Sequence, residues 1–318
     1  MTRAQHIETF HRLPVFTLFE PDEQVLPAAT EVAWRLDCVW ETPFTELWQG
    51  FLDRVPSTEV RALVIGPWWH DEYCDMSEVV ELILGDAERF PGLRALFLAD
   101  VISDECEISW LSLTDVTPFL KAFPLLEEFG VRGCAEGVDD GRLSLSPVRH
   151  DALRVLRFES GGLPGEVVRA VGASELPALE HLELWLGVEN YGGDATVADL
   201  APLLAQGHFP ALRHLGLQDS ELQDEIAAAM ASAPVVAQLE SLSLSMGILT
   251  DAGAQALLGG QPLTHLKRLD LHHHFLSEAM ADRVRAAVGC AGTEVDVSDR
   301  CTPHRWQEEE WRYVAVSE

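Results

Sequence analysis

Along most of the chain apolar residues fall in the order L-x-x-L-x-L, with polar residues between them. The copies are VRALVI (60–65), LRALFL (93–98), LEEFGV (126–131), LRVLRF (153–158), LEHLEL (179–184), LRHLGL (212–217), LESLSL (239–244) and LKRLDL (266–271), with a degraded ninth, TEVDV (293–297). Measured from Leu63 at the fourth position, they are spaced by 33, 33, 27, 26, 33, 27, 27 and 26 residues. Each copy alternates as a short strand does, with positions 4 and 6 turned inward and positions 3, 5 and 7 on the opposite face. After several copies the period changes to that of a helix, in 113–123, 224–231, 250–258 and 277–288. Thr114, Asp224, Thr250 and Ser277 are the expected N-caps, and Gly259-Gly260 and Gly289 the expected stops. A strand and a helix per unit cannot bury their apolar faces alone, and stacking the units does.

The ends differ. RLPVFTLF (12–19) and EVAWRLDCVW (31–40) alternate as two strands, and PFTELWQGFLDRV (43–55) is an amphipathic helix. A stack of repeats must cover its first apolar layer, so residues 1–56 are expected to be an N-terminal cap and 57–300 the repeats, about eight to nine of them. Residues 301–318, with a strand-like WRYVAV (311–316), are expected to be the C-terminal cap.

The pattern resembles the leucine-rich-repeat proteins, and the unit length with its helix resembles their ribonuclease-inhibitor-like subclass, LESLSLSMGILTDAGAQALL being the best single match. The whole chain also resembles a family of bacterial cytosolic leucine-rich-repeat proteins through FHRLPVF (10–16), ECEISW (105–110), FESGGLP (158–164), LWLGVENYGGDATVADL (184–200) and LDLHHHFLSE (269–278). That second likeness implies a fold and no reaction. The resemblance implies an α/β fold: a right-handed horseshoe solenoid with a concave parallel sheet, convex helices and caps at both ends. One departure stands out. The ninth position, often Asn or Cys in such repeats, reads Trp68, Val101, Cys134, Gly161, Gly187, Ser220, Gly247 and His274, and Asn190 is the chain's single asparagine. The turns therefore need another source of hydrogen bonds.

Composition narrows the function. Twenty-two Lys and Arg against 52 Asp and Glu give a formal charge of −30, which argues against nucleic acid as a partner. No signal-like N-terminus and no run of 18 apolar residues occurs, so a cytoplasmic protein off the membrane is expected. The six cysteines have no paired spacing. Motifs for serine hydrolases, zinc peptidases, phosphate loops and dinucleotide sites are missing, so no catalytic residue, metal or cofactor is assigned.

The repeat frame also bears on the triplet His272, His273 and His274. Neighbouring strand residues point to opposite sides, so the three cannot converge on one ion, and one exposed and one inward histidine are expected. At position 2 the charges alternate: Arg94, Glu127, Arg154, Glu180, Arg213, Glu240, Lys267. Two patches are candidates for partner binding. One is the aromatic set on the long-repeat loops, Trp68, Trp69, Tyr73, Trp110, Trp185 and Tyr191. The other is central: Arg132, Arg157, Glu159, His181, Glu183, Trp185 and His214. In the latter, Arg132 beside Glu159 and Arg157 beside Glu183 suit salt bridges, while His181, His214 and Glu183 leave open a surface metal site or acid–base pair. The expected function is a non-catalytic scaffold for a protein or peptide, of unknown oligomeric state. Alternatives are an accessory subunit of a bacterial biosynthetic or peptide-modifying pathway and, less favoured, a metal-dependent enzyme.

Overall fold

The computed structural model describes residues 5–19, 24–38, 42–69, 75–134, 142–306 and 309–317. Twelve strands form one sheet in chain order: β1 (Thr9–Phe10), β2 (Leu13–Leu18), β3 (Ala33–Leu36), β4 (Ala62–Ile65), β5 (Ala95–Leu98), β6 (Glu128–Arg132), β7 (Val155–Glu159), β8 (His181–Gly187), β9 (His214–Ser220), β10 (Ser241–Ser243), β11 (Arg268–Asp270) and β12 (Glu294–Asp296). Only β1 with β2 is antiparallel; every later neighbour pair is parallel. The register runs Ala62, Ala95, Glu128, Val155, His181, His214, Ser241, Arg268, Glu294 straight across the sheet. Those steps are the periods read from the sequence, 26, 27 or 33 residues. The two N-terminal strands predicted before the repeats join this same sheet, β2 on β3 and β3 on β4.

Parallel neighbours need a crossover, and helices supply most of them: α1 (Phe44–Arg54), α2 (Ser77–Gly85), α3 (Thr117–Ala122), α4 (Gly165–Ala173), α5 (Ala201–Leu204), α6 (Gln223–Met230), α7 (Asp251–Leu258) and α8 (Glu278–Val288). Their apolar residues, such as Ile83, Phe119, Val171, Met230, Leu257 and Val284, share one continuous core with the inward strand positions Leu96, Phe129, Leu156, Leu182, Leu215, Leu242 and Leu269. Each such buried side chain contributes roughly 1.5–3 kcal/mol.

Two predicted caps hold, because Thr250 Oγ1 accepts from Ala252 N and Ser277 Oγ from Met280 N. The other two are corrected. Helix α3 begins at Thr117, whose N–H donates to Asp115 rather than to Thr114. Asp224 lies inside α6, and its carboxylate accepts from Thr250 N at 2.7 Å and Gly253 N at 3.1 Å, at the start of the next helix. Asp251 repeats the arrangement toward Ser277 N. A carboxylate in one helix thus satisfies the open N–H groups of its neighbour, which ties successive units together.

The missing asparagines are replaced by other side chains. Ser220 Oγ accepts from Leu222 N, Gln223 Nε2 donates to Leu217 O, and His150 Nδ1 accepts from Leu153 N while its Nε2 meets Phe123 O. His274 does the same: its Nδ1 accepts from Leu276 N and its Nε2 donates to Val297 O at 3.2 Å. The histidine triplet therefore divides. His274 and His273 are both buried, and His272 alone is partly exposed, against the expectation of a single inward ring. His273 sits at a left-handed φ of 53° and meets Tyr313 O, whereas His272 Nδ1 lies 2.8 Å from Asp270. That hydrogen bond outweighs burial and raises the His272 imidazole above its ordinary value.

The alternating charges at position 2 form separate pairs rather than an unbroken ladder. Arg94 meets Glu127, Arg154 meets Glu180 at 2.7 Å and Lys267 meets Glu240 at 2.6 Å, while Arg213 turns to the carbonyl of Leu212.

At the C-terminal end, His304–Trp306 and Glu309–Trp311 form an antiparallel two-stranded sheet, so the strand expected over 311–316 lies earlier. The residues after it are held by burial of Val314 and Val316 and by Val316 N donating to Asp219 Oδ1 at 2.9 Å. Asp219 is fully buried, its second oxygen has no partner, and burial raises its carboxyl well above the usual 3.8. The native state therefore keeps a proton that the unfolded chain releases above about pH 4, and stability falls as pH rises from there toward the folded pKa. Asp219→Asn keeps the acceptor and tolerates the φ of 55°. It is expected to melt higher than the wild type at neutral pH, with the gain vanishing below about pH 4; a gain independent of pH in calorimetry contradicts this assignment.

Candidate binding face

Strand residues that alternate with the core set form the opposite face of the sheet. At its N-terminal end this face is apolar: Ala33, Ala62, Val64, Ala95 and Phe97 lie under Phe10, with Ile7, Leu13 and Val15 packed beside them. Phe10 and Phe97 meet edge to face at 6.1 Å. Residues 5–11 thus lie across the sheet face.

From β6 onward the face is polar. Arg132 is 4% exposed and reaches four acceptors on three segments: Glu159 Oε2 at 2.8 Å, Asp100 Oδ1 at 3.3 Å, Val101 O at 2.9 Å and Gln5 O at 3.2 Å. Its guanidinium also lies 5.6 Å from the centre of the Phe97 ring, within cation–π range. Asp100 receives Arg35 at 3.3 Å and the N–H of Ile7. Arg157 bridges Glu128 at 2.6 Å and Glu183 at 3.1 Å. The two pairs expected from the sequence, Arg132 with Glu159 and Arg157 with Glu183, are present, and period reading did not reveal that Asp100 and Arg35 extend the first and Glu128 the second. Burial raises the Asp37 carboxyl at its edge to about 6 despite the neighbouring Arg35, and it also raises Glu159 against the pull of Arg132.

Next along the face, β8 and β9 are paired with His181 opposite His214 and Glu183 opposite Gly216. The two imidazoles stack with centroids 4.0 Å apart and planes 14° from parallel. Each directs its Nε2 at Glu183, to Oε2 from His181 and to Oε1 from His214, both at 3.4 Å. Neither Nε2 makes a hydrogen bond, although both atoms are buried. Gly216 makes room for this: a Cβ there would sit 3.0 Å from Glu183 Cγ. Burial lowers the His181 imidazole. It would raise Glu183, but the two imidazoles and Arg157 outweigh it and hold that carboxyl below its ordinary range. Farther on, Arg268 lies within 3.4 Å of Asp270 and 3.6 Å of Asp296.

A cavity of about 700 Å³ opens on this face, lined on one side by Gln5, Ile7, Thr9 and Phe10, along its floor by Arg132, Arg157, Glu159 and Trp185, and on the other side by Met246, His272 and Asp299. Trp185, half-buried, is the loop-set aromatic that lines it. Trp68 is a core residue, 2% exposed, with Trp69 edge-on to it at 5.0 Å. Tyr191 receives the Cys134 thiol at its carbonyl, and Trp110 is 65% exposed away from the cavity lining. Tyr73 lies outside the described residues. The described aromatics therefore do not form one patch: Trp185 belongs to β8, and spacing placed the others on loops without fixing which way each ring turns.

The fold and this face define a mostly parallel α/β repeat protein with a cavity of mixed polar and apolar lining opposite its helices. Among solved structures the chain is similar to a protein from Bacteroides fragilis, with a TM-score of 0.74 and 29% identity over 88% of this chain and 76% of that one. The Rad7 and Elc1 complex of yeast matches at a TM-score of 0.29 and 14% identity over 84% and 81%, a level that carries no argument about this protein. No protein-family model and no curated protein matches the sequence. No helix among the described residues is long and apolar enough to cross a membrane.

Proposed function

We propose that the protein is a non-catalytic scaffold that binds a protein segment or peptide in the cleft of its sheet face, within a leucine-rich-repeat solenoid of the ribonuclease-inhibitor-like kind. The observation that carries the reading is the cavity itself, which combines paired charges, Trp185 and the apolar edge of Phe10 and Phe97. Such a mixture suits a chain segment with both apolar and polar side chains. Curvature of the sheet is supported by the same lining. Phe97 belongs to β5 and His272 follows β11, six strands on, a separation of about 29 Å in a flat sheet at 4.8 Å per strand. One cavity of about 700 Å³ touches both, as a sheet curved about the cleft would allow. Residues 1–56 and 301–318 act as the caps in this reading, the first also forming one wall of the cleft through Gln5–Phe10.

Trp185→Ala is the decisive variant. Arg157 is unsuitable, since its removal strands Glu128 and Glu183. A random peptide library panned on the immobilised protein should yield sequences whose affinity drops at least about tenfold with Trp185→Ala, the effect of losing an aromatic anchor. Equal retention by both proteins, with the variant folded, removes the cleft as the binding surface.

A further inference from the structure

We propose that His181, Glu183 and His214 form a binding site for one divalent transition-metal ion, Zn²⁺ being the best match, with an open coordination position toward the cleft. The inference does not depend on the scaffold reading. Three donors of the types that zinc takes, two imidazoles and a carboxylate, have ligand atoms within 4.8 Å of one another. The two Nε2–carboxylate separations are both 3.4 Å. They run to different carboxylate oxygens and the two rings are stacked, so taking up one ion requires one imidazole to turn out of the stack until both Nε2 lone pairs converge.

Three further observations bear on the site. First, both Nε2 atoms are buried and make no hydrogen bond of normal length, each facing a Glu183 oxygen at 3.4 Å. Second, the outer contacts are those that orient metal ligands. His214 Nδ1 lies 2.7 Å from Ser241 Oγ, and donation there leaves the lone pair on Nε2, while Arg157 Nε steadies Glu183 and still leaves carboxylate lone pairs unused. Third, Gln218, 6% exposed, spends its amide N–H groups on Ser243 and Ser245 and leaves Oε1 buried without a donor. That oxygen and Glu183 Cγ approach the same point above Gly216, at 2.8 and 3.0 Å. A water on the open metal position would supply the donor that Gln218 Oε1 lacks.

A second three-ligand group among the described residues, Asp270, His272 and Asp296, is different. Arg268 already lies between its carboxylates, and His272 Nδ1 already has Asp270, so a cation and a hydrogen bond occupy the places an ion would take.

The test is equilibrium dialysis of untagged full-length protein against micromolar Zn²⁺, with metal content read by mass spectrometry, and Co²⁺ substitution read by visible absorption. One ion per chain and a tetrahedral Co²⁺ spectrum are expected. Glu183→Gln, close to isosteric, and His214→Ala should abolish both signals. Ser241→Ala should weaken affinity by about tenfold to a hundredfold. His272→Ala should change neither. Substoichiometric metal in the wild type overturns the proposal, and so does binding that survives Glu183→Gln and His214→Ala or is lost with His272→Ala. Circular dichroism of each variant separates loss of the site from loss of the fold.

Discussion

Replacing Arg132 with alanine is expected to destabilise the protein by about 3–5 kcal/mol, the cost of leaving buried charges without their partner. The side chain is almost wholly buried, Asp100 is fully buried and Glu159 nearly so. Removing the guanidinium takes away two ion pairs, the hydrogen bonds to Val101 O and Gln5 O, and the contact over Phe97. Lysine should recover little, because one ammonium cannot reproduce a planar fork aimed at four acceptors. The sign of the pH dependence follows from the carboxylates. In the variant, the buried Glu159 loses the charge that favours its ionised form, so the deficit relative to the wild type is full at neutral pH and shrinks as pH falls into the range where Glu159 takes up a proton. Urea unfolding at pH 7 and pH 4 measures both effects. A loss below about 1 kcal/mol at neutral pH would show that the network contributes as weakly as surface ion pairs do. Because Gln5 is one of the acceptors, the variant should also expose the N-terminal segment to proteolysis, opening that wall of the cleft.

Gly187→Ala is expected to cost roughly 2–5 kcal/mol, combining about 1–2 for a side chain in the left-handed region with about 1–3 for overpacking. Gly187 ends β8 with φ at +68°, and a Cβ there would stand 2.0 Å from Gly161 O and 2.4 Å from Gly162 N. These atoms are backbone and cannot swing aside. The close approach lets Val188 N reach Gly161 O and Leu163 N reach Leu186 O, which lock the ends of β7 and β8 together. The expected result is a lower melting temperature with faster hydrogen exchange in that pair of strands. Unchanged stability would mean that the two segments can separate without loss.

The strand register across the repeats was legible in the sequence because spacing carries it. Intervals of 26, 27 and 33 residues between leucines are the steps by which strands pair, and an apolar residue at a wrong step would face water. The same frame put His181 opposite His214, and Arg132 and Arg157 beside their carboxylates, since lateral neighbours in a parallel sheet follow from register alone. What it could not supply was anything set by chain crossing over the sheet or by side-chain rotation. Asp100 joins Arg132 from a position just beyond β5, Gln5 reaches it from more than a hundred residues away, and Asp224 caps a neighbouring helix rather than its own. Trp68 turned into the core while Trp110 turned out, although both belong to loops of the long repeats. Periodicity determined which residues share a face; only the tertiary structure decided which of them meet, because those contacts depend on rotamers, turns and segments that no repeat constrains.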